Sequence, residues 1–318
     1  MKFLKLLVLT LLLTACGDPA QPEKKAALAE APVKKVRIAL VMKTLTNPFF
    51  IEMEKGARKA ASELNLDLIV KTAAQETSFE QQVAIVEDLI QNKLVDAIVV
   101  APADAYHMIT PVKKARDAGI PVVNIDARLD PKQMEAAGLA SVPFISVDNE
   151  QGAFLSAQTL VTGVKKPTQA AILEGIRAAD NAQARKNGAL RAFGSNPAVK
   201  VVASESANWK IDESYEVAKA MFAKHPNIGL IFAANDMMAL GVLKYLADNG
   251  KKSVKVAGFD ALAEARAAIS QGTLTATIDQ QAAEQGYQGV LYAMRLFKGE
   301  QLPAQTLLSV KLVTRVNK

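Results

Sequence analysis

Side chains able to bind a polar ligand fall just past the ends of several short β-branched runs. Lys43, Asn47, Phe49 and Phe50 follow the run 36–42, and Asp126 and Arg128 follow 121–125. A loop and helix start beyond 169–173 carries Arg185, and Trp209, the sole tryptophan, lies past 200–204. The next three runs end at Asn235, Asp260 and Gln280. Open α/β sheets bind ligands beyond the carboxyl ends of their strands, so this shared address is informative. Carboxylates accept, guanidiniums donate in a fixed fork, and carboxamides do one of each. Aromatic rings supply flat apolar faces. That mixture suits a polyhydroxylated ligand, whose C–H faces pack on rings while every hydroxyl both donates and accepts. Taken singly, each residue has a plainer reading. Asp236 reads first as a helix cap, Phe50 as core by its periodicity, Trp209 as a surface or lobe-packing aromatic, and Asp126 with Arg128 as a structural ion pair.

Strands and helices must alternate to place these residues. The runs 36–42, 66–72, 97–101, 121–127, 143–147, 169–173, 200–204, 229–233, 253–258 and 274–278 read as strands. Between the first two, Phe50, Met53, Ala57, Ala60, Ala61 and Leu64 fall at helical spacing behind Asn47-Pro48, a cap and first helical position. Val83, Val86, Leu89 and Ile90 repeat the pattern, as do Met238, Val242, Tyr245 and Leu246. Such alternation predicts doubly wound α/β architecture with parallel sheets. The pattern restarts near residue 143, after a long polar stretch at 129–142. This predicts two similar lobes with a cleft between them. A helix over 282–297 and a strand over 306–314 close the chain, the last element crossing back between lobes.

Composition narrows the function classes. Half of the residues are hydrophobic and 5% aromatic, which suits Val/Ile/Ala-rich parallel sheets wrapped in helices. The formal charge is +6, but its lysines are scattered among acids, with no basic stripe interleaved with aromatics, so nucleic acid is not an expected partner. The chain starts Met1-Lys2-Phe3-Leu4-Lys5, runs apolar to Leu13 and reaches Leu13-Thr14-Ala15-Cys16. This describes a secretory signal over 1–15, too short to span a bilayer. Leu-Thr-Ala-Cys resembles the bacterial lipobox, making Cys16 the lipid attachment point. Cys16 is the only cysteine, so no intramolecular disulfide can form. Residues 16–35 hold Pro19, Pro32, alanines and charges without periodicity, as a flexible tether does. The expected location is the cell envelope: the periplasmic side of a bacterial membrane, or the outer face of the cytoplasmic membrane.

From about residue 36 to the C-terminus the sequence resembles the periplasmic sugar-binding protein family, which includes ribose-, galactose- and D-allose-binding proteins. The resemblance rests on Thr44-Leu45-Thr46-Asn47-Pro48-Phe49-Phe50, Asn124-Ile125-Asp126-Ala127-Arg128-Leu129-Asp130, Val147-Asp148-Asn149, Ala184-Arg185-Lys186-Asn187-Gly188, Ala234-Asn235-Asp236-Met237-Met238-Ala239-Leu240-Gly241, Gly258-Phe259-Asp260 and Ala276-Thr277-Ile278-Asp279-Gln280. It implies the type I periplasmic-binding-protein fold, two lobes joined by a three-crossover hinge near 142–146, Gln280 and 307–310. The lobes would be 36–143 with 281–307, and 144–280 with 308–318. It further implies that Asn47, Asp126, Arg185, Asn235, Asp260 and Gln280 hydrogen-bond a monosaccharide, and that Phe49, Phe50 and Trp209 sandwich its ring. The implied partners are an ABC permease and its ATPase as separate chains, with the binding protein itself a monomer. Lys43 before the Thr-Leu pair, and Arg128 two residues after the aspartate, resemble D-allose-binding members more than ribose-type ones. Phe49-Phe50 and Ala127-Arg128 depart from the Phe-Trp and Glu-Lys pairs typical of those members. The expected ligand is a hexose such as D-allose, or a related ketose or polyol.

Other classes fit less well. The first strand–helix turn, 42–47, has no glycine and so lacks the dinucleotide fingerprint, and no phosphate loop occurs. His107 and His225, the only histidines, have no metal-ligand spacing, and neither cofactor nor metal is expected. Asp126 and Asp260 could act as a glycoside-hydrolysing carboxylate pair, but nearby Arg128 and Arg185 would favour their ionised forms, which suits binding better than acid catalysis. A repressor built on the same body would carry a helix-turn-helix in place of residues 1–35. A sensor presenting the ligand to a receptor would share the same cleft.

Overall fold

The computed structural model of the chain describes residues 35–139 and 141–316. Strands β1 (Arg37–Met42), β2 (Asp67–Thr72), β3 (Ala97–Val100), β4 (Val122–Ile125) and β5 (Phe144–Val147) alternate with helices α1 (Pro48–Glu63), α2 (Phe79–Gln91), α3 (Ile109–Asp117) and α4 (Pro131–Ala136). They form a parallel sheet with the late strand β11 (Gln305–Leu308), in the order β11-β5-β4-β3-β1-β2. Side chains alternate across it. Ile38, Leu40 and Met42 of β1 join the core under α1, while Ala39 and Val41 join the core with Val86 and Leu89 of α2 and Val112 and Ala115 of α3. Both faces are therefore covered, which is why the strand reads as continuously apolar.

The second sheet repeats the plan. Helix α5 (Asn149–Val161) leads to β6 (Thr168–Glu174), α6 (Asp180–Gly194), β7 (Val199–Ser206), α7 (Ile211–Lys224), β8 (Ile228–Ala233), α8 (Asp236–Asp248), β9 (Lys255–Ala257), α9 (Ala263–Gln271) and β10 (Ala276–Asp279). The sheet order is β12-β10-β9-β8-β6-β7, where β12 (Lys311–Thr314) is the antiparallel edge. In both sheets the strand order reverses beside the first strand, at β1/β3 and at β6/β8. Ligands of open α/β sheets bind at such switch points. Helix α10 (Ala282–Phe297) returns to the first lobe and packs on α1 and on β3 and β4.

Two expectations about the lobes change. The run 144–147 belongs to the first lobe, because β5 pairs with β4 (Asn124↔Phe144, Ile125↔Ile145) and with β11. The first crossover therefore falls at Asp148, whose side chain accepts from Gln151 N to cap α5. A fully apolar parallel run carries no sign of which sheet it joins, so the sequence places the boundary four residues early. The single strand expected over 306–314 is two strands in two sheets, parted at Ser309 and Val310. The remaining crossover follows Gln280, where Gln281 takes a left-handed φ of 56°. The polar stretch 129–142 holds α4, capped by Asp130 through Gln133 N.

Candidate ligand-binding site

Both lobes turn the carboxyl ends of their strands toward one narrow space between them. Lys43, Asn47, Phe49, Phe50 and Asp126 line it from the first lobe, and Arg185, Trp209, Asn235, Asp260 and Gln280 from the second. Arg128 does not. The chain turns at Asp126 with φ 65°, so Asp126 faces inward, Ala127 is buried, and Arg128 swings out over the Phe144 ring to donate to Gln305 Oε1 at 3.3 Å. Glu76 and Asn181 line the space as well and were missed by the sequence reading. Glu76 sits in the β2–α2 loop, a strand end left out of the set. Asn181 lies one helical turn before Arg185 on α6, a spacing that would have pointed to it.

On the first lobe, Lys43 Nζ stands 2.7 Å from Asp126 Oδ2, and both side chains are almost fully buried. The nitrogen also lies 5.5 Å from the Phe50 ring centre. Asn47 accepts from Phe49 N to cap α1, and this fixes its amide so that Nδ2 donates to Glu76 Oε1 at 3.0 Å. Proline at the first position of α1 completes the start that the sequence predicts. Phe49 and Phe50 meet edge to face, their centres 5.0 Å apart. Phe50 thus packs in the core and lines the space at once.

On the second lobe, Arg185 is held from three sides. Its Nε donates to Asn149 Oδ1 at 2.8 Å, Nη1 donates to the Ala234 carbonyl at 2.9 Å, and Nη1 lies 3.5 Å from Asp260 Oδ1. The guanidinium stacks 3.8 Å above the centre of the Phe259 ring. Burial lowers the Arg185 pKa, opposed by the charges of Asp260 and Asp126. Burial pushes the Asp260 carboxyl well above the usual carboxylate range, and Arg185 draws it back. Gln280 Nε2 donates to Asp260 Oδ1 at 2.6 Å, and Gln285 holds Gln280 through its carbonyl. Trp209 lies flat against Gly175, where any Cβ would come within 2.1 Å of the indole. Glycine is required there by close approach alone.

The cap of α8 is Asn235, whose Oδ1 accepts from Met238 N while Nδ2 donates to the Trp209 carbonyl. Asp236, expected as that cap, is the first residue inside the helix and fully buried. It accepts from Leu262 N and from the Thr277 hydroxyl, which in turn accepts from Ala261 N. This bracing holds the turn in which Asp260 has φ 123° and Ala261 φ 55°. Asp126, Trp209 and Asp260 all carry left-handed backbone, a strain of about 1–3 kcal/mol each that gathers at functional sites.

Burial raises the Asp236 pKa from 3.8 to about 7. Between those values the folded protein holds a proton that the unfolded chain has released, so this residue's contribution to stability falls as pH rises through that window. Asp236→Asn removes the titrating proton and keeps an amide oxygen to accept from Leu262 N. Its melting temperature is expected to gain on the parent's as pH rises from 4 to 7. Parallel curves across that range would show that the proton sits elsewhere.

Trp209 Nε1 and Asn181 Oδ1 are buried with no hydrogen-bond partner among the described residues. One is a donor and the other an acceptor, and leaving each unmatched costs about 1–3 kcal/mol. Asn181 Nδ2 meanwhile donates across the lobes to Asp126 Oδ1 at 3.3 Å. A second bond between lobes runs from Ala105 N to the Ala178 carbonyl at 3.0 Å. These contacts hold the lobes shut over the space. Among the described residues no helix is long and apolar enough to cross a membrane.

Known proteins are similar to this chain over most of its length. A D-ribose/D-allose-binding protein of Pseudomonas aeruginosa is 39% identical over 297 residues, covering 92% of this chain and 91% of its own. A D-allose-binding periplasmic protein of Escherichia coli is 33% identical, over 87% of this chain and 90% of its own. Among solved structures, a periplasmic solute-binding protein of an ABC transporter from Actinobacillus succinogenes, with bound D-allose, superposes with a TM-score of 0.84. It is 40% identical over 89% of this chain and 99% of its own. The periplasmic binding protein domain matches residues 38–301, and with two doubly wound lobes closed on one cleft the chain belongs to that family.

Proposed function

We propose that this protein is the solute-binding component of an ABC-type sugar importer, closing on one monosaccharide and delivering it to a membrane permease. The observation that carries the reading is the enclosed, mixed lining of the cleft, with Trp209 Nε1 and Asn181 Oδ1 buried and unmatched on its wall. A sugar hydroxyl donates and accepts at once, so ring hydroxyls supply both missing partners. Asp126, Arg185, Asn235, Asp260 and Gln280 supply the remaining hydrogen-bonding groups, and Phe49, Phe50 and Trp209 the apolar faces. Relatives named for D-allose favour a hexose of that kind. The permease and its ATPase are then separate chains. Cys16 lies outside the described residues; Leu13-Thr14-Ala15-Cys16 supports its lipid attachment at the cell envelope.

A thermal-shift panel of aldohexoses, ketohexoses, pentoses, polyols and inositols tests this. A ligand at 100 times its Kd should add about 2.7 kcal/mol of stability. A clear rise with D-allose or a narrow stereochemical set is the expected result. No shift from folded protein stripped of co-purified ligand would reject the sugar reading.

A further inference from the structure

The charged groups of the closed cleft do not balance in simple pairs. Lys43 is matched by Asp126 at 2.7 Å and Arg185 by Asp260 at 3.5 Å. Glu76 is a third carboxyl lining the same space, and among the described residues no cation lies within ion-pair distance of it. Its one hydrogen bond comes from Asn47 Nδ2. The side chain is buried at 8% exposure. An unpaired carboxylate in so dry a place pays a heavy desolvation cost, and the ordinary outcome is that it binds a proton.

Burial is the largest influence on Glu76 and raises its pKa, while the Asn47 hydrogen bond and the nearby cations oppose it. Lys43, at the end of β1, and Arg185, on α6, face it and favour its charge, but each is already committed to its own aspartate. Asp126, at the end of β4, repels a charge there, and burial outweighs all of these in raising the Glu76 pKa. On the outer side Glu76 borders a groove with Trp209, Lys210 and Asp212, where Lys210 is paired to Glu213 at 2.8 Å. Asp236 and Asp260 lie beyond Arg185 and bear on the guanidinium from the second lobe. The amide of Asn47 cannot turn round, because its Oδ1 caps α1 through Phe49 N. Glu76 Oε1 is therefore an acceptor, and Oε2 is the oxygen left to carry hydrogen.

Building on the sugar-binding reading, we propose that Glu76 enters the closed cleft as a neutral carboxylic acid and donates its O–H to a ligand hydroxyl, so that capture of the sugar takes up one proton. Glu76 is then a specificity-determining contact: it demands an acceptor oxygen at its end of the ring. With the lobes parted, water reaches the cleft and Glu76 titrates as an ordinary glutamate. Affinity is level at pH below that open-state value and falls as pH rises above it, by up to about tenfold per unit, until the closed form also loses its proton.

Isothermal titration of the full chain with the sugar found by the panel, in phosphate and in Tris at matched pH, reads the proton directly. The expected result is a buffer-dependent heat that shows net proton uptake, with affinity falling as pH rises above the open-state value. Glu76→Gln keeps the acceptor for Asn47 and a donor for the ligand; it should bind with no proton uptake and a flat pH profile. Buffer-independent heat in the parent would overturn the proposal. So would uptake that persists in Glu76→Gln, which would place the proton on Asp236 or Asp260. Failure of every sugar to bind, at any pH, rejects the underlying reading instead and removes this one with it.

Discussion

Asp126→Ala is expected to bind sugar about 100- to several-thousand-fold more weakly than the parent while melting within a few degrees of it. The two readouts separate because of where the pair sits. Lys43 and Asp126 lie on the cleft face of the first lobe, 2.7 Å apart. When the lobes part, water covers that face, and a lone Lys43 is solvated at little cost. Closure then buries it with no counter-ion. Removing one member of a buried pair costs about 3–5 kcal/mol, and here most of that cost falls on closure. Asn181 also loses its partner across the lobes. Alanine tolerates the left-handed φ of 65° less well than aspartate, which accounts for a small drop in melting temperature. Titration calorimetry and a thermal melt of the same preparation check both parts. Undiminished affinity would remove Asp126 from the site.

Gly56→Val is expected to do the reverse, costing the fold at least about 3 kcal/mol, or on the order of 6–10 °C in Tm. Helices α1 and α10 touch backbone to backbone. A Cβ on Gly56 would sit 1.7 Å from the Ala283 carbonyl oxygen, and one on Gly286 would sit 2.0 Å from the Met53 carbonyl oxygen. No rotamer relieves a clash with a main-chain atom, so the helices must separate and uncover Met53, Ala57 and Ala60 beneath them. Gly194→Ala is the control: it also stands in a helix, but its added Cβ meets nothing within 4 Å. That substitution should be neutral or stabilising by up to about 1 kcal/mol. A Gly56→Val protein that melts with the parent would mean that the two helices do not make this contact.

What could be read from the sequence follows what is written locally. Apolar runs bounded by polar turns marked the strands, and 3.6-residue spacing behind Asn47-Pro48 marked α1. The helix over 282–297 coincides with α10. The misreadings share one cause: each depended on a through-space fact. Residues 144–147 look the same in either sheet. The tail 306–314 looks continuous, although its halves serve different lobes. The left-handed turn at Asp126, which sends Arg128 away, leaves no mark on a sequence where glycine is absent. Asp236 and Asn235 are both good caps by type, and only the demand of Leu262 N and Thr277 for the aspartate decides between them. Glu76 was overlooked because the strand before it ends four residues short, in a loop with no aromatic or basic neighbour to draw attention.

The return of α10 to α1 also governs the order in which the molecule can be finished as it is made. The first lobe is begun by β1 and α1, yet its sheet lacks an edge and α1 lacks its neighbour until residues 282–308 arrive. All of the second lobe except its edge strand β12 is synthesised in between. A nascent chain thus cannot complete its leading half while its trailing tenth is still in the ribosome, so that half stays open through most of translation. Chains normally build domain by domain from the N-terminus. This interleaving delays the first lock, a delay that would help a chain destined for export.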